Sequence, residues 1–201
     1  MDIRPLAIKD VLLISPKRFQ DNRGFFTELY SRRAFLAAGI ATEFLQDNFS
    51  LSNEAGVVRG LHFQAPPFAQ AKLLRVLRGA IFDVVVDIRY GSPTYGRSVS
   101  ITLTGDSYDQ LYVPEGFAHG FCTLEPHTEI TYKVNAYYAP KHDYGLLWND
   151  PALDIDWPID PEKAVTSERD QRHPRLADLP RHFEYPVGQF PSAKDQLVAP
   201  L

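Results

Sequence analysis

An all-β domain, an antiparallel barrel or sandwich, is the fold that this sequence predicts. Three observations carry the prediction: six strand-like runs between residues 73 and 134, turn residues punctuating each gap, and a single convincing helix ahead of them. Regular spacing of short β-rich runs favours a closed or double-layered antiparallel architecture over alternating β and α units.

The elements follow in order. Residues 31–39 (SRRAFLAAG) read as the helix: Ser31 is a cap candidate, Ala34 to Ala38 have high helix propensity, and Gly39 is placed to end it. LLRVLR (73–78), IFDVVVDIRY (81–90), SVSITL (98–103), QLYVPEG (110–116), GFCTL (120–124) and EITYKV (129–134) are the strands. After residue 150, proline and charge become frequent (DPALDIDWPIDPEKA, then HPRLADLP), which predicts loops and short helical turns wrapped on the barrel. The expectation is one domain over 1–201, with a core of about 10–170 and a C-terminal extension of about 171–201.

Alternation assigns faces. Gln46, Asn48 and Ser50 share one face of FLQDNFS (44–50). Lys72, Leu74 and Val76 share another, and so do Ile130, Tyr132 and Val134. An interior receiving Gln, Asn, Lys and Tyr among aliphatics is a polar-studded pocket, not a plain core.

Composition narrows the function. A 201-residue chain with 44% hydrophobic and 12% aromatic residues has enough apolar side chains for a packed core. Its net charge of −4 argues against nucleic acid as a partner, because a phosphate backbone demands a basic face. Cys122 is the only cysteine, so no internal disulfide forms and a reducing, cytoplasmic setting is expected. The start lacks the apolar run of a signal peptide, and no stretch reads as a membrane span.

Three segments bear chemistry: VVRGLHFQ (57–64) with Arg59 and His62, YVPEGFAHGF (112–121) with His119, and the strand carrying Tyr132. An imidazole titrates near working pH and suits a general base, a phenol can return a proton, and the Lys72 ammonium can stabilise developing negative charge. Together these are the parts for deprotonation beside a carbonyl. Taken singly each has a plain structural alternative: a satisfied histidine, a packed tyrosine, a rim lysine. His127, His142, His173 and His182 stay with that alternative. A metal centre is the chemical competitor, because Pro114-x-Gly116-x-x-His119 is similar to the second cupin motif. The first motif, however, reads His62-Phe63-Gln64, and APPFAQAK supplies no carboxylate, so no metal is expected.

In one order the chain carries DNRGFFTELY (21–30), QDNFS (46–50), VVRGLHFQ (57–64), QAKLLRV (70–76), FDVVVDIR (82–89), SPTYG (92–96), VPEGFAHGF (113–121), TYKVNAYYAP (131–140) and LLWNDPALDIDWP (146–158). Over about residues 10–170 it resembles the dTDP-4-dehydrorhamnose 3,5-epimerases of the cupin superfamily. The resemblance implies a cupin-type antiparallel jelly-roll barrel with a few short helices, a homodimer, no cofactor and a dTDP-4-keto-6-deoxy sugar substrate. It further implies His62 as base, Tyr132 as acid and Asp170 as the carboxylate behind the base. Lys72 and His119 match positions near the sugar's 4-keto oxygen. Arg23, Glu28, Gln46, Asp47, Asn48 and Arg59 match nucleotide, diphosphate or sugar contacts, some across the dimer interface, and Tyr138 matches an aromatic stacking on thymine. Asp143 and Arg169 also match binding positions, but stand where the family commonly has Glu and Lys. Epimerisation at only C3 or C5, a metal-dependent cupin, and a noncatalytic sugar-binding cupin are the alternatives.

Overall fold

The structure, a computed structural model, describes residues 1–186; the remainder of the expected 171–201 extension lies outside the described residues. Fifteen strands are formed among them: β1 (Asp2–Pro5), β2 (Leu12–Ser15), β3 (Arg18–Asp21), β4 (Gly24–Thr27), β5 (Gln46–Ser52), β6 (Val58–Gln64), β7 (Lys72–Arg78), β8 (Ala80–Asp87), β9 (Arg89–Tyr90), β10 (Ser98–Thr104), β11 (Gln110–Val113), β12 (Phe117–Thr123), β13 (Thr128–Val134), β14 (Asp143–Gly145) and β15 (Phe183–Glu184). One α-helix, α1 (Arg32–Ala37), precedes β5. A six-stranded sheet, β1-β2-β11-β7-β13-β5, faces a five-stranded sheet, β10-β8-β12-β6-β14. All pairings within these two sheets are antiparallel, which gives the expected jelly-roll barrel.

Alternation drives the layering. Leu13, Leu74, Val76, Leu111, Val113 and Ile130 of one sheet meet Ile81, Val85, Phe117 and Phe121 of the other between the layers. The opposite faces of β8 and β12 bury Val84, Val86, Ala118 and Cys122 against Leu146, Trp148, Leu153 and Phe183 from the later chain. A strand buried on both faces reads as a continuous apolar run, which is why FDVVVDI shows so little alternation. The tail is therefore a third layer. It consists of 3-10 turns at Pro151–Leu153, Pro161–Lys163, Asp170–Arg172 and Leu176–Asp178, ending on β15, which pairs parallel with β9. Asp150 and Asp160 start the first two turns by accepting the backbone N–H two residues on, each with proline at the next position.

Two expectations need correction. Ser31 sits at the N-cap of α1, yet its side chain makes no capping hydrogen bond; the helix is held by its other end. There Gly39 has φ +83°, its N–H bonds the Leu36 carbonyl, and the Ile40 N–H bonds the Phe35 carbonyl, while Ile40 and Phe35 pack together under β2 and β7. The run 81–90 is also two strands. Asp87 accepts the backbone N–H of Arg89 at 2.9 Å and turns the chain at Ile88. Among the described residues no helix is long and apolar enough to cross a membrane.

Candidate functional site

Between the sheets lies a cavity of about 630 Å³, lined from β5, β6, β7, β12 and β13 and closed on one side by residues 165–170. His62 and His119 enter it from neighbouring strands, directly opposite one another in the β6–β12 register. That register slips between His119 and Phe121, where Gly60 (φ +127°) faces Gly120: a Cβ on Gly60 would lie 2.6 Å from the Gly120 Cα. The irregularity is what lets Arg59 and His62, three residues apart, both line the cavity.

His62 Nε2 lies 2.7 Å from Asp170 Oδ1, and the His62 side chain remains 33% exposed toward the cavity. Asp170 is buried in its 3-10 turn, where Oδ2 accepts the Gly60 N–H at 3.3 Å and its own N–H donates to Ser167 Oγ. Burial pushes the Asp170 carboxyl up, but His173, His62 and the Gly60 N–H outweigh it and hold the group ionised, well below the usual carboxylate range. Carboxylate and imidazole form an oriented pair, which sets the ring tautomer and leaves Nδ1 as the second nitrogen.

Lys72 is buried on β7 and donates from Nζ to the His62 carbonyl at 3.1 Å. Its burial lowers the ammonium pKa to about 8, against the opposing pull of Asp143 and Asp83. Tyr132 lines the same cavity from β13, and burial raises its phenol pKa, so it stays protonated. His119 Nε2 contacts both oxygens of Asp83 at 3.0 Å. Burial lowers the His119 pKa and raises that of Asp83, each toward its neutral form.

Of the predicted residues, His62, Lys72, His119, Tyr132, Asp170, Arg59 and Arg169 line this one cavity. Asp143 lies beside it, accepting from Arg169 Nη1 at 2.7 Å and from the exposed Tyr138 hydroxyl at 3.2 Å. Gln46 donates to Asn48 Oδ1 and accepts the Tyr138 N–H, continuing the face that Ser50 carries into the cavity. Arg23, Glu28 and Asp47 are not brought there within one chain. Arg23 is exposed on the β3–β4 hairpin, bound to Asp21; Glu28 follows that hairpin; Asp47 points to the opposite face of β5 and pairs with Lys133 at 2.7 Å.

The donor set does not suit a cupin-type metal. His62 and His119 turn Nε2 toward two different carboxylates, Asp170 and Asp83, and not toward one common ion position, and the Gln64 amide is used by Phe68, Tyr137 and Ala139 backbone groups. Two polar groups escaped the sequence reading. Asp83 had a signal in its inward parity with Ile81 and Val85. His173, 3.5 Å through Nε2 from Asp170 Oδ1, had none beyond following Asp170 by three residues.

A family model described as dTDP-4-dehydrorhamnose 3,5-epimerase matches residues 5–178. The chain is 50% identical over 185 residues to the dTDP-4-dehydrorhamnose 3,5-epimerase of Sinorhizobium fredii, covering 92% of this chain and 94% of that one. It is similar in structure, with TM-score 0.86 and 40% identity, to the dTDP-6-deoxy-D-glucose-3,5-epimerase of Legionella pneumophila in complex with dTDP-4-keto-L-rhamnose, covering 92% of this chain and 98% of that one. A 3′-monoepimerase of Streptomyces bikiniensis in complex with dTDP-quinovose is similar at 30% identity and TM-score 0.83, with 96% of both chains covered.

Proposed function

Because the chain belongs to the dTDP-4-dehydrorhamnose 3,5-epimerase family, we propose that it inverts C3 and C5 of dTDP-4-dehydro-6-deoxy-D-glucose to give dTDP-4-dehydro-L-rhamnose, by proton transfer between His62, the sugar and Tyr132. The observation carrying this reading is the single cavity lined by His62, Lys72 and Tyr132, with Asp170 behind the imidazole.

The C4 ketone acidifies the protons on both neighbouring carbons. Asp170 accepts from Nε2–H of His62, so the Nδ1 lone pair is the one that removes a proton. The electrons pass into an enolate, whose oxygen is stabilised by the Lys72 ammonium and by His119. Tyr132, kept protonated by its burial, returns a proton to the opposite face of the carbon. Two groups on two faces make inversion direct.

Arg59 and Arg169 supply positive charge for the diphosphate. Gln46, Asn48, Asp143 and Tyr138 extend toward the nucleotide, with Tyr138 exposed for stacking on the base. Arg23, Glu28 and Asp47 take part from a second copy of the chain. The hairpin exposes Phe19, Phe25 and Phe26, and the outer face of β5 exposes Phe49 and Leu51, an apolar surface suited to homodimer formation. The buried, unpaired Cys122 suits a reducing cytoplasm.

The test is incubation with dTDP-4-keto-6-deoxyglucose in D₂O, followed by proton NMR. Deuterium at both C3 and C5 is expected, and exchange at one position only makes this a single-position epimerase like the Streptomyces relative. His62→Ala is expected to abolish exchange, while Tyr132→Phe keeps exchange and blocks full inversion. Normal product from His62→Ala ends the assignment.

A further inference from the structure

His173 takes no proton-transfer step in the chemistry above beyond helping to keep Asp170 ionised, and it is poorly explained as packing. Its Nε2 is buried without a hydrogen-bond partner among the described residues. It points at the oxygen that already receives His62: Nε2 of His173 lies 3.5 Å from Asp170 Oδ1, and Nε2 of His62 lies 2.7 Å from the same atom. The two rings meet edge to face with centroids 5.7 Å apart. Gly145 of β14 makes the seat, since a Cβ there would overlap the His173 ring. An orphaned buried nitrogen aimed at a shared carboxylate is costly unless something joins the two.

We propose that His62, Asp170 and His173 form a three-ligand site for a borderline divalent cation such as Zn²⁺, and that occupation of this site switches proton transfer off. The three ligand atoms lie within 4.8 Å of one another. Bonds of about 2.0–2.2 Å to nitrogen and carboxylate oxygen in a tetrahedron set ligand atoms about 3.4 Å apart. His173 and Asp170 already stand at that spacing; His62 has to move about 0.7 Å away from Asp170, and the two imidazole nitrogens, within 4.8 Å of each other, have to close toward the same spacing, for which the partly exposed His62 ring has room in the cavity. Two imidazoles and one carboxylate suit zinc or cobalt and leave a fourth position for water. The Gly60 N–H on Oδ2 orients the carboxylate as an outer-sphere partner does in metal sites. Magnesium, which prefers an all-oxygen octahedron, does not fit.

Inhibition follows from the tautomer. A cation on Nε2 displaces the proton shared with Asp170, and a neutral imidazole bound through Nε2 carries its proton on Nδ1. The nitrogen that takes the sugar's proton then has no lone pair to offer. This consequence rests on the proposed epimerase reading; the binding site does not.

The experiment titrates the purified full chain with Zn²⁺ in zinc-buffered solution. Calorimetry reads binding, the visible absorption of Co²⁺ reads geometry, and deuterium exchange into the substrate reads activity. One Zn²⁺ per chain, a tetrahedral Co²⁺ band, and loss of exchange that EDTA restores and Mg²⁺ does not reproduce are expected. His173→Gln, compared with its own zinc-free rate, is expected to weaken binding and inhibition together by about 100-fold, the upper end of what losing even an outer-sphere partner costs. Gly145→Ala, which displaces the ring while keeping the imidazole, is expected to act in the same direction. Equal inhibition of wild type and His173→Gln overturns the site, as does an active chain that binds no zinc. A chain that binds zinc through His173 but never exchanges substrate protons overturns the activity and leaves the site standing.

Discussion

Asp83 grips His119 by both carboxylate oxygens, 3.0 Å each from Nε2, with Asp83 fully buried and His119 nearly so. Removing one partner of a buried hydrogen-bonded pair leaves the other unsatisfied, which costs about 1–3 kcal/mol. Asp83→Ala is therefore expected to unfold at markedly lower denaturant concentration. Asp83→Asn, which still offers Nε2–H an acceptor, is expected to lose less. Equal stability of the two variants in chemical denaturation removes the pair from the fold's support.

The Lys72 ammonium carries its charge below a pKa of about 8 and loses it above. If that charge stabilises the enolate, the rate falls as pH rises through about 8, while Tyr132, its pKa raised, remains protonated. A pH profile of kcat/KM checks this. Lys72→Arg, charged at every working pH, is expected to lose the alkaline limb, and Lys72→Met to lose about 10²–10³-fold in rate. A limb unchanged in Lys72→Arg belongs to another group.

Asp170→Asn keeps the size of the side chain but can present an N–H to Nε2, favouring the wrong tautomer. A loss of about 10²–10⁴-fold in exchange rate with a normal circular dichroism spectrum is expected. Unchanged turnover near neutral pH removes Asp170 from the mechanism.

Gly60→Ala puts a Cβ 2.6 Å from the Gly120 Cα at φ +127°. Backbone strain of about 1–3 kcal/mol adds to the clash. A lower Tm and loss of activity are expected together, because Arg59 and His62 share this irregularity as their support; a variant as stable and as active as wild type contradicts it.

Most of the barrel was legible because its strands announce themselves through β-branched residues and turns, and inward parity placed Ser50, Lys72, Leu74 and Tyr132 on the cavity side. The N-terminal strands β1 to β4 were not legible: all are four residues long, and β1, β3 and β4 are mostly exposed and carry little apolar pattern, while the buried LLIS of β2 is too short to show a period. Ser31 misled because a cap-type residue does not guarantee a capping bond. Asp170 came into view only through family resemblance, since its neighbour in space lies 108 residues earlier. His173 was read as a plain structural histidine, because its seat is the missing side chain of Gly145, and an absence in one strand leaves no mark on another segment.

Every hydrogen-bonded strand of the two large sheets is complete by Gly145, whereas Asp170 is carried by the layer that wraps them afterwards. A ribosome thus delivers the whole barrel before the acidic group that gives its histidine direction. The nascent chain can shelter its apolar interior first, and on the proposed mechanism docking of the last turns is the event that arms it.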